Sequence, residues 1–219
     1  MIMDLLAFAK GPILMWSLII FFVGVSWRLV GVLLLRRKPD YSEPRDTSPA
    51  WGAVRTVFTR MWVRKEFRAR TVYTEVISYV FHFGLAIVVF LFVPHILFIK
   101  SITGLSWGGL PNGMIYAVGV ITLIALIAVL IRRLTHPVLR LLSNFDDYFS
   151  WIVTTVPVFT GLLASAHLGA RYETLLGIHI LSIELLFIWF PFGKLMHAIL
   201  FAVSRSTTGA LLERKGAAT

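Results

Sequence analysis

Of the six histidines in this chain, His82, His95, His179 and His197 lie inside apolar stretches, while His136 and His167 lie where such stretches end. An ionisable side chain within a bilayer is costly and by default marks function. Imidazole serves two chemistries in that setting, proton exchange and metal ligation. The chain has no cysteine, which excludes disulfides, thiolate metal sites, c-type haem attachment and an iron–sulfur cluster carried on this chain. Metal chemistry is therefore left to histidine, carboxylate and methionine.

The elements that must position these histidines are membrane helices. Of the 219 residues, 58% are hydrophobic and 15% charged, and the mean hydropathy of +0.81 is too high for a soluble domain of this length. Five stretches, 12–35, 73–99, 114–131, 149–168 and 174–203, each supply the roughly 20 apolar residues that a crossing needs. The expected fold is an all-α integral membrane protein, a single domain over 1–219 with five transmembrane helices. The opening MIMDLLAFAKGP lacks the basic start and cleavage site of a secretory signal, so the first span reads as a retained helix.

Charge predicts the orientation. Arg36, Arg37, Lys38, Arg45, Arg55, Arg60, Arg64, Lys65, Arg68 and Arg70 lie between the first two spans; Arg132, Arg133 and Arg140 follow the third; Arg205, Arg214 and Lys215 occupy the tail. The opposite side carries Lys10, Lys100 and Arg171. The positive-inside rule then puts the N-terminus outside and the C-terminus in the cytoplasm. The net charge of +10 is a topology signal, and without an aromatic-interleaved basic motif nucleic acid is not an expected partner. After the linker KPDYSEPRDTSP, the residues Val54, Val57, Phe58, Met61 and Trp62 recur at helical spacing. Residues 51–70 are thus expected to form an amphipathic segment against membrane lipid, either closing the bundle or docking a partner subunit.

With this topology the second span runs outward and the fifth inward. His95 then pairs with His179 at the outer level, and His82 with His197 at the inner. One imidazole from either side is the ligand set of a six-coordinate haem b between two helices, suited to electron transfer because both axial positions are filled. The eighteen positions from His179 to His197 cover about 27 Å and five full turns, which returns both rings to one face. The thirteen from His82 to His95 cover about 20 Å and do not. Pro94 and Pro191 offer kinks that take up the difference.

These residues resemble a known family. FHFGLAIVVFLFVPH, with histidines thirteen apart, RRLTHPVLRLLSNFDDY before the fourth span, and IHILSIELLFIWFPFGKLMH, with histidines eighteen apart, are similar to the five-helix dihaem cytochrome b subunits. That family is typified by the gamma subunit of respiratory nitrate reductase and includes membrane cytochromes b of sulfite-reductase-associated and heterodisulfide-reductase-like complexes. The resemblance implies two haem b groups, quinol oxidation near the outer one, and electron delivery to an iron–sulfur subunit that serves a catalytic subunit on the cytoplasmic face of a prokaryotic cytoplasmic membrane. The terminal acceptor it implies is nitrate or a sulfur or heterodisulfide-type substrate. Pro94 replaces a glycine frequent in the nitrate branch, and SNFDDY looks closer to the sulfur branch.

Quinol oxidation needs a proton acceptor, a donor to the quinone oxygen and apolar walls. Lys100, Trp107, Arg171 and Tyr172 lie on the outer side, each either a quinol-site residue or an interfacial anchor. Arg140 and Lys194 are candidate partners of the inner haem propionates or simple positive-inside anchors. Glu184, five positions after His179, points to a different face from the ligands and reads as a protonated, hydrogen-bonded packing residue or part of a proton path. His136 and His167 read as non-ligands. A proton-coupled transporter would use intramembrane His, Glu and Lys, but the chain has neither an inverted repeat nor a matched pair of broken helices. A haem-free anchor accounts for the spans and leaves the four histidines without a role.

Overall fold

The computed structural model describes residues 4–36, 40–45 and 48–217; Arg37 and Lys38 of the basic loop lie outside these. The helices are α1 Leu5–Ala9, α2 Pro12–Leu33, α3 Pro49–Thr59, α4 Arg68–Leu91, α5 Val93–Thr103, α6 Asn112–Thr135, α7 Pro137–Leu142, α8 Phe145–Ala166, α9 Tyr172–Trp189 and α10 His197–Arg214. Short 3₁₀ turns, Lys65–Phe67 and Lys194–Met196, lead into α4 and α10. Among the described residues there is no strand.

Six helical stretches are long and apolar enough to cross a membrane: Leu5–Leu33, Lys65–Leu91, Asn112–Thr135, Phe145–Ala166, Tyr172–Trp189 and Lys194–Arg214. The chain has the build of a multi-pass membrane protein. The sixth arises because the expected span 174–203 is two helices. After Trp189 the chain turns through Phe190–Gly193, where Pro191 supplies no amide hydrogen and Gly193 is extended (φ −97°, ψ −174°). Pro191 is buried there, and its ring lies so near Gly24 that a Cβ on that glycine would stand 2.7 Å away.

The expected span 73–99 is also interrupted. Phe92 is extended (φ −81°, ψ 123°) and α5 restarts with Pro94 in its first turn. Neither histidine spacing therefore runs along one helix. The shared face expected for His179 and His197 does not exist, and the awkward thirteen-residue spacing is resolved by a break rather than a kink.

Contacts gather into two compact units, residues up to Ile20 with Val72–Trp189, and Phe21–Thr71 with Phe190–Thr219. In the first, α9 packs against α8 and α1, and α8 against α6. Small residues allow these approaches, as membrane helices require in the absence of a hydrophobic drive between them. Gly84 of α4 lies directly on the Thr122 hydroxyl of α6, and a Cβ on Gly119 or Gly177 would come within 3.0 Å of Leu162 or 3.1 Å of Leu5.

The SNFDDY stretch has a structural assignment. Asn144 caps α8 in a reciprocal capping box with Asp147. Asp147 also pairs with Arg133 of α6 at 2.9 Å. Ser150 donates to Asp146 at 2.7 Å and accepts the Trp189 indole N–H at 3.0 Å.

In the second unit, α3 lies on α10 through Gly52, Thr56 and Gly209, all in close contact. The expected amphipathic segment 51–70 is helical to Thr59, then passes through a turn and the 3₁₀ segment, and its last residues 68–70 open α4. Its face of Val54, Phe58 and Trp62 is exposed while the small residues are buried, which suits a helix lying against lipid. The linker before α3 is clasped to the end of α10. The Arg45 amide donates to the Arg214 carbonyl at 2.9 Å, the Arg214 guanidinium donates to the Asp40 and Ser42 carbonyls, and Lys215 approaches Asp40 at 3.8 Å. The Ser42 hydroxyl, then its amide, hold the Asp40 carboxyl below its ordinary value.

Candidate functional site

The break between α4 and α5 builds the surroundings of His95. Pro94 cannot donate to Phe90, so the carbonyls that a continuous helix would satisfy need other donors. The Trp107 indole N–H bonds the Phe90 carbonyl, and the Leu110 amide bonds that of Leu91 at 2.9 Å. His95 takes the Val88 carbonyl, its Nδ1 lying 2.9 Å away. The same break that displaces α5 thus orients the His95 ring, with Phe92 edge-on to it at 5.1 Å.

His179, from α9, meets this ring. The two imidazole centroids are 6.2 Å apart and their planes differ by 15°. With metal–nitrogen bonds of about 2 Å, two imidazoles on opposite sides of one iron hold their centroids roughly 6 Å apart. His179 Nδ1 lies 3.2 Å from the Thr160 hydroxyl. That hydroxyl donates to the Val156 carbonyl at 2.8 Å, so it accepts from the ring. Gly161 opens room for the imidazole: a Cβ there would stand 2.9 Å from His179 Cε1.

All four candidate ligands share one tautomeric bias. A carbonyl oxygen only accepts, so a neutral imidazole facing one carries its proton on Nδ1 and presents the Nε2 lone pair. His82 Nδ1 lies 2.7 Å from the Ser78 carbonyl, and His197 Nδ1 lies 2.7 Å from the Lys194 carbonyl. Such a bond behind the ring is the usual support of a metal-bound histidine. His136 shows the reverse, its Nδ1 accepting from the Leu139 amide at 3.4 Å as the N-cap of α7. His167 ends α8 in the left-handed region (φ 55°) and stacks on Tyr172 at 4.9 Å. Both are structural residues of helix ends.

Each of the four candidate quinol-site residues has surroundings of its own. Trp107 spends its indole N–H on the break, Tyr172 stacks on His167, Arg171 is exposed beside Glu173 at 3.9 Å, and Lys100 is exposed near the end of α5. Arg140 is exposed on α7. Glu184 is only 2% exposed, and neither of its carboxyl oxygens has a hydrogen-bond partner. The expected hydrogen-bonded packing role is not what its surroundings provide.

His82 belongs to the first unit and His197 to the second. Around His197 lies a cavity of about 790 Å³, lined by Lys194, Arg28 and Arg36 with apolar walls that include Leu200 and Phe201. Its size falls within the roughly 300–1,000 Å³ of cofactor sites. Cations over apolar walls fit the anionic edge and apolar body of a haem. Sequence reasoning passed over Arg28, although an arginine inside the apolar run of SWRLV was the available signal.

A protein of Nitratidesulfovibrio vulgaris (strain Hildenborough) is 31% identical to this chain in an alignment of 214 positions that covers 93% of this chain and 91% of that protein. The chain belongs to that protein's family. The likeness covers most of both chains. No family model matches the chain, and no solved structure does.

Proposed function

We propose that this chain is a membrane cytochrome b subunit with two bis-histidine haem sites, His95 with His179 and His82 with His197. It takes electrons from a membrane quinol on the outer side and delivers them to an iron–sulfur subunit at the cytoplasmic face of a prokaryotic membrane. A catalytic subunit beyond that partner reduces nitrate or a sulfur or heterodisulfide-type acceptor. The observation that carries the reading is the outer pair: two near-parallel imidazoles, 6.2 Å between centroids, each held from behind at Nδ1.

A b haem, when bound, supplies reversible one-electron chemistry at a six-coordinate iron. The chain's own residues do the rest. The Val88 carbonyl and the Thr160 hydroxyl keep the Nδ1 protons in place, so both rings offer Nε2. The carbonyls of Ser78 and Lys194 do the same for the inner ligands. Lys194 neutralises a propionate at the inner site, and Arg140 serves the same end. Lys100 and Arg171 are the outer cations available to a quinone oxygen. The packing of α10 on α3, whose flanking loop is strongly basic, supports five crossings, with the polar end of α10 at the cytoplasmic surface and the N-terminus outside.

Ligand substitution tests the pairing. His95→Ala and His179→Ala should each remove the same b-type component, and His82→Ala and His197→Ala the other. If each single substitution removed a different half of the absorption irrespective of pair, in protein that still folds, the pairing would be wrong.

A further inference from the structure

Helix α3 turns its small residues inward and its large apolar ones outward. Gly52 and Thr56 face α10, where a Cβ on Gly209 would stand 2.6 Å from Thr56 Cβ. Arg205 of α10 donates to the Val57 carbonyl at 3.5 Å and holds the end of α3 in place. This packing leaves Trp51, Val54 and Phe58, spaced i, i+3 and i+7, exposed at 61%, 52% and 63%. A helix that served only to close the bundle would bury that row and expose Gly52 and Thr56.

A strip of cations runs on from the apolar row. Arg55, Arg60, Arg64, Lys65, Arg68 and Arg70 lie within sixteen residues that contain one acid, Glu66. All but the half-buried Arg60 are exposed, and among the described residues none of the six has a carboxylate within ion-pair distance. The last of them open α4, and Lys65–Leu91 is long and apolar enough to cross a membrane. A chain that enters a bilayer there carries residues 65–70 through the level of the headgroups.

We propose that residues 51–70 bind anionic phospholipid, with the apolar row of α3 among the acyl chains and the cations on the headgroup phosphates. The proposal rests on the membrane build of the chain and is independent of the haem reading. Charge decides the occupant. A zwitterionic surface would cover the apolar row but leave six cations answered by one acid, whereas an anionic surface satisfies both. An acidic protein would answer the charge, but an exposed aromatic row next to the point of membrane entry is better met by acyl chains. Near an anionic leaflet each Lys or Arg adds roughly fivefold to the affinity at low salt.

Hydrogen exchange of the full-length protein in nanodiscs tests this, with discs of phosphatidylcholine alone beside discs of phosphatidylcholine mixed with phosphatidylglycerol. Protection of the α3 amides should be at least about fivefold greater in the anionic discs at low salt, and about 1 M salt should remove most of the difference. Arg55→Gln, Arg64→Gln and Arg68→Gln combined in one chain should abolish the difference. The same three positions changed to Lys should keep it, because a headgroup surface answers charge rather than a planar fork. If the Gln variant fails to fold, the salt dependence of the wild type decides, and a lipid difference that salt does not reduce would overturn the proposal. Equal protection of the wild type in both discs would overturn it, as would a lipid difference that survives in folded Gln variant. Protection that ignores lipid charge and appears only with a co-purified protein would assign the surface to that partner and overturn the proposal. None of these outcomes alters the b-type absorption, so failure here and failure of the cytochrome reading are seen separately.

Discussion

Gly161→Ala separates the outer site from ordinary helix behaviour. Gly161 is internal to α8, where alanine is the better helix former by about 0.8–1.0 kcal/mol. Propensity alone therefore predicts a slightly more stable protein. The structure predicts the opposite at the site: the new methyl would stand 2.9 Å from His179 Cε1, 3.3 Å from Nδ1 and 3.6 Å from Nε2. Carbon atoms rest about 3.5–4.0 Å apart, so the ring must move by roughly 0.6–1.1 Å or α8 must retreat from α9. Overpacking of this kind costs about 1–3 kcal/mol, and the displacement falls on the bond to Thr160 that orients the imidazole. If that cost is levied on outer-site ligation, haem affinity there falls about 5- to 150-fold. The assay is the haem-to-protein ratio of the purified variant, with the reduced spectrum resolved into its two components. The outer component should weaken or shift while the inner is retained. A variant with both components at wild-type occupancy and position would refute the assignment of Gly161 as the seat of a ligating ring.

Three further outcomes follow from the geometry. Trp107→Phe deletes the indole donor to the Phe90 carbonyl, leaving that group short of a partner at a cost of about 1–3 kcal/mol; haem titration should show loss centred on the outer component. Glu184→Leu should leave the melting temperature in detergent unchanged or raised, because a buried acid without hydrogen bonds contributes no stability that an apolar side chain cannot supply. A fall corresponding to more than about 2 kcal/mol would reveal a partner. The Asp40 clasp should be acid-labile: its carboxyl is depressed in the folded chain, so its contribution is present above the ordinary carboxylate value and disappears as pH falls through the depressed one. Protection of the Arg45 amide, bonded to Arg214, taken as its exchange rate relative to unstructured peptide at the same pH, should fall over that acid window and not at neutral pH.

Much of the architecture was legible because its causes are local. Apolar runs of span length, basic loops and the four intramembrane histidines are all one-dimensional signals, and the helices at 112–135 and 145–166 fall where hydropathy puts them. What escaped was the consequence of proline. Pro94 and Pro191 were read as kinks in continuous helices, whereas the chain breaks at Phe92 and at Phe190–Gly193. A kink becomes a break when distant donors satisfy the freed carbonyls, and here those donors are Trp107 and Leu110, residues beyond the end of α5. No local pattern announces that pairing. The same limit applies to Trp107, read as a quinol-site residue or an interfacial anchor, whose indole N–H closes the break. The His95 and His179 meeting was legible from topology, but the Nδ1 acceptors that fix their tautomers were not, since one is a backbone carbonyl seven residues upstream and the other a threonine on α8.

The central claim, that the histidines are iron ligands, is tested most directly by the dithionite-reduced minus oxidised absorption spectrum of the purified full-length protein. The account predicts b-type bands from two haems per chain, resolvable by potential into two components. A protein that folds and purifies with no b-type absorption would contradict it.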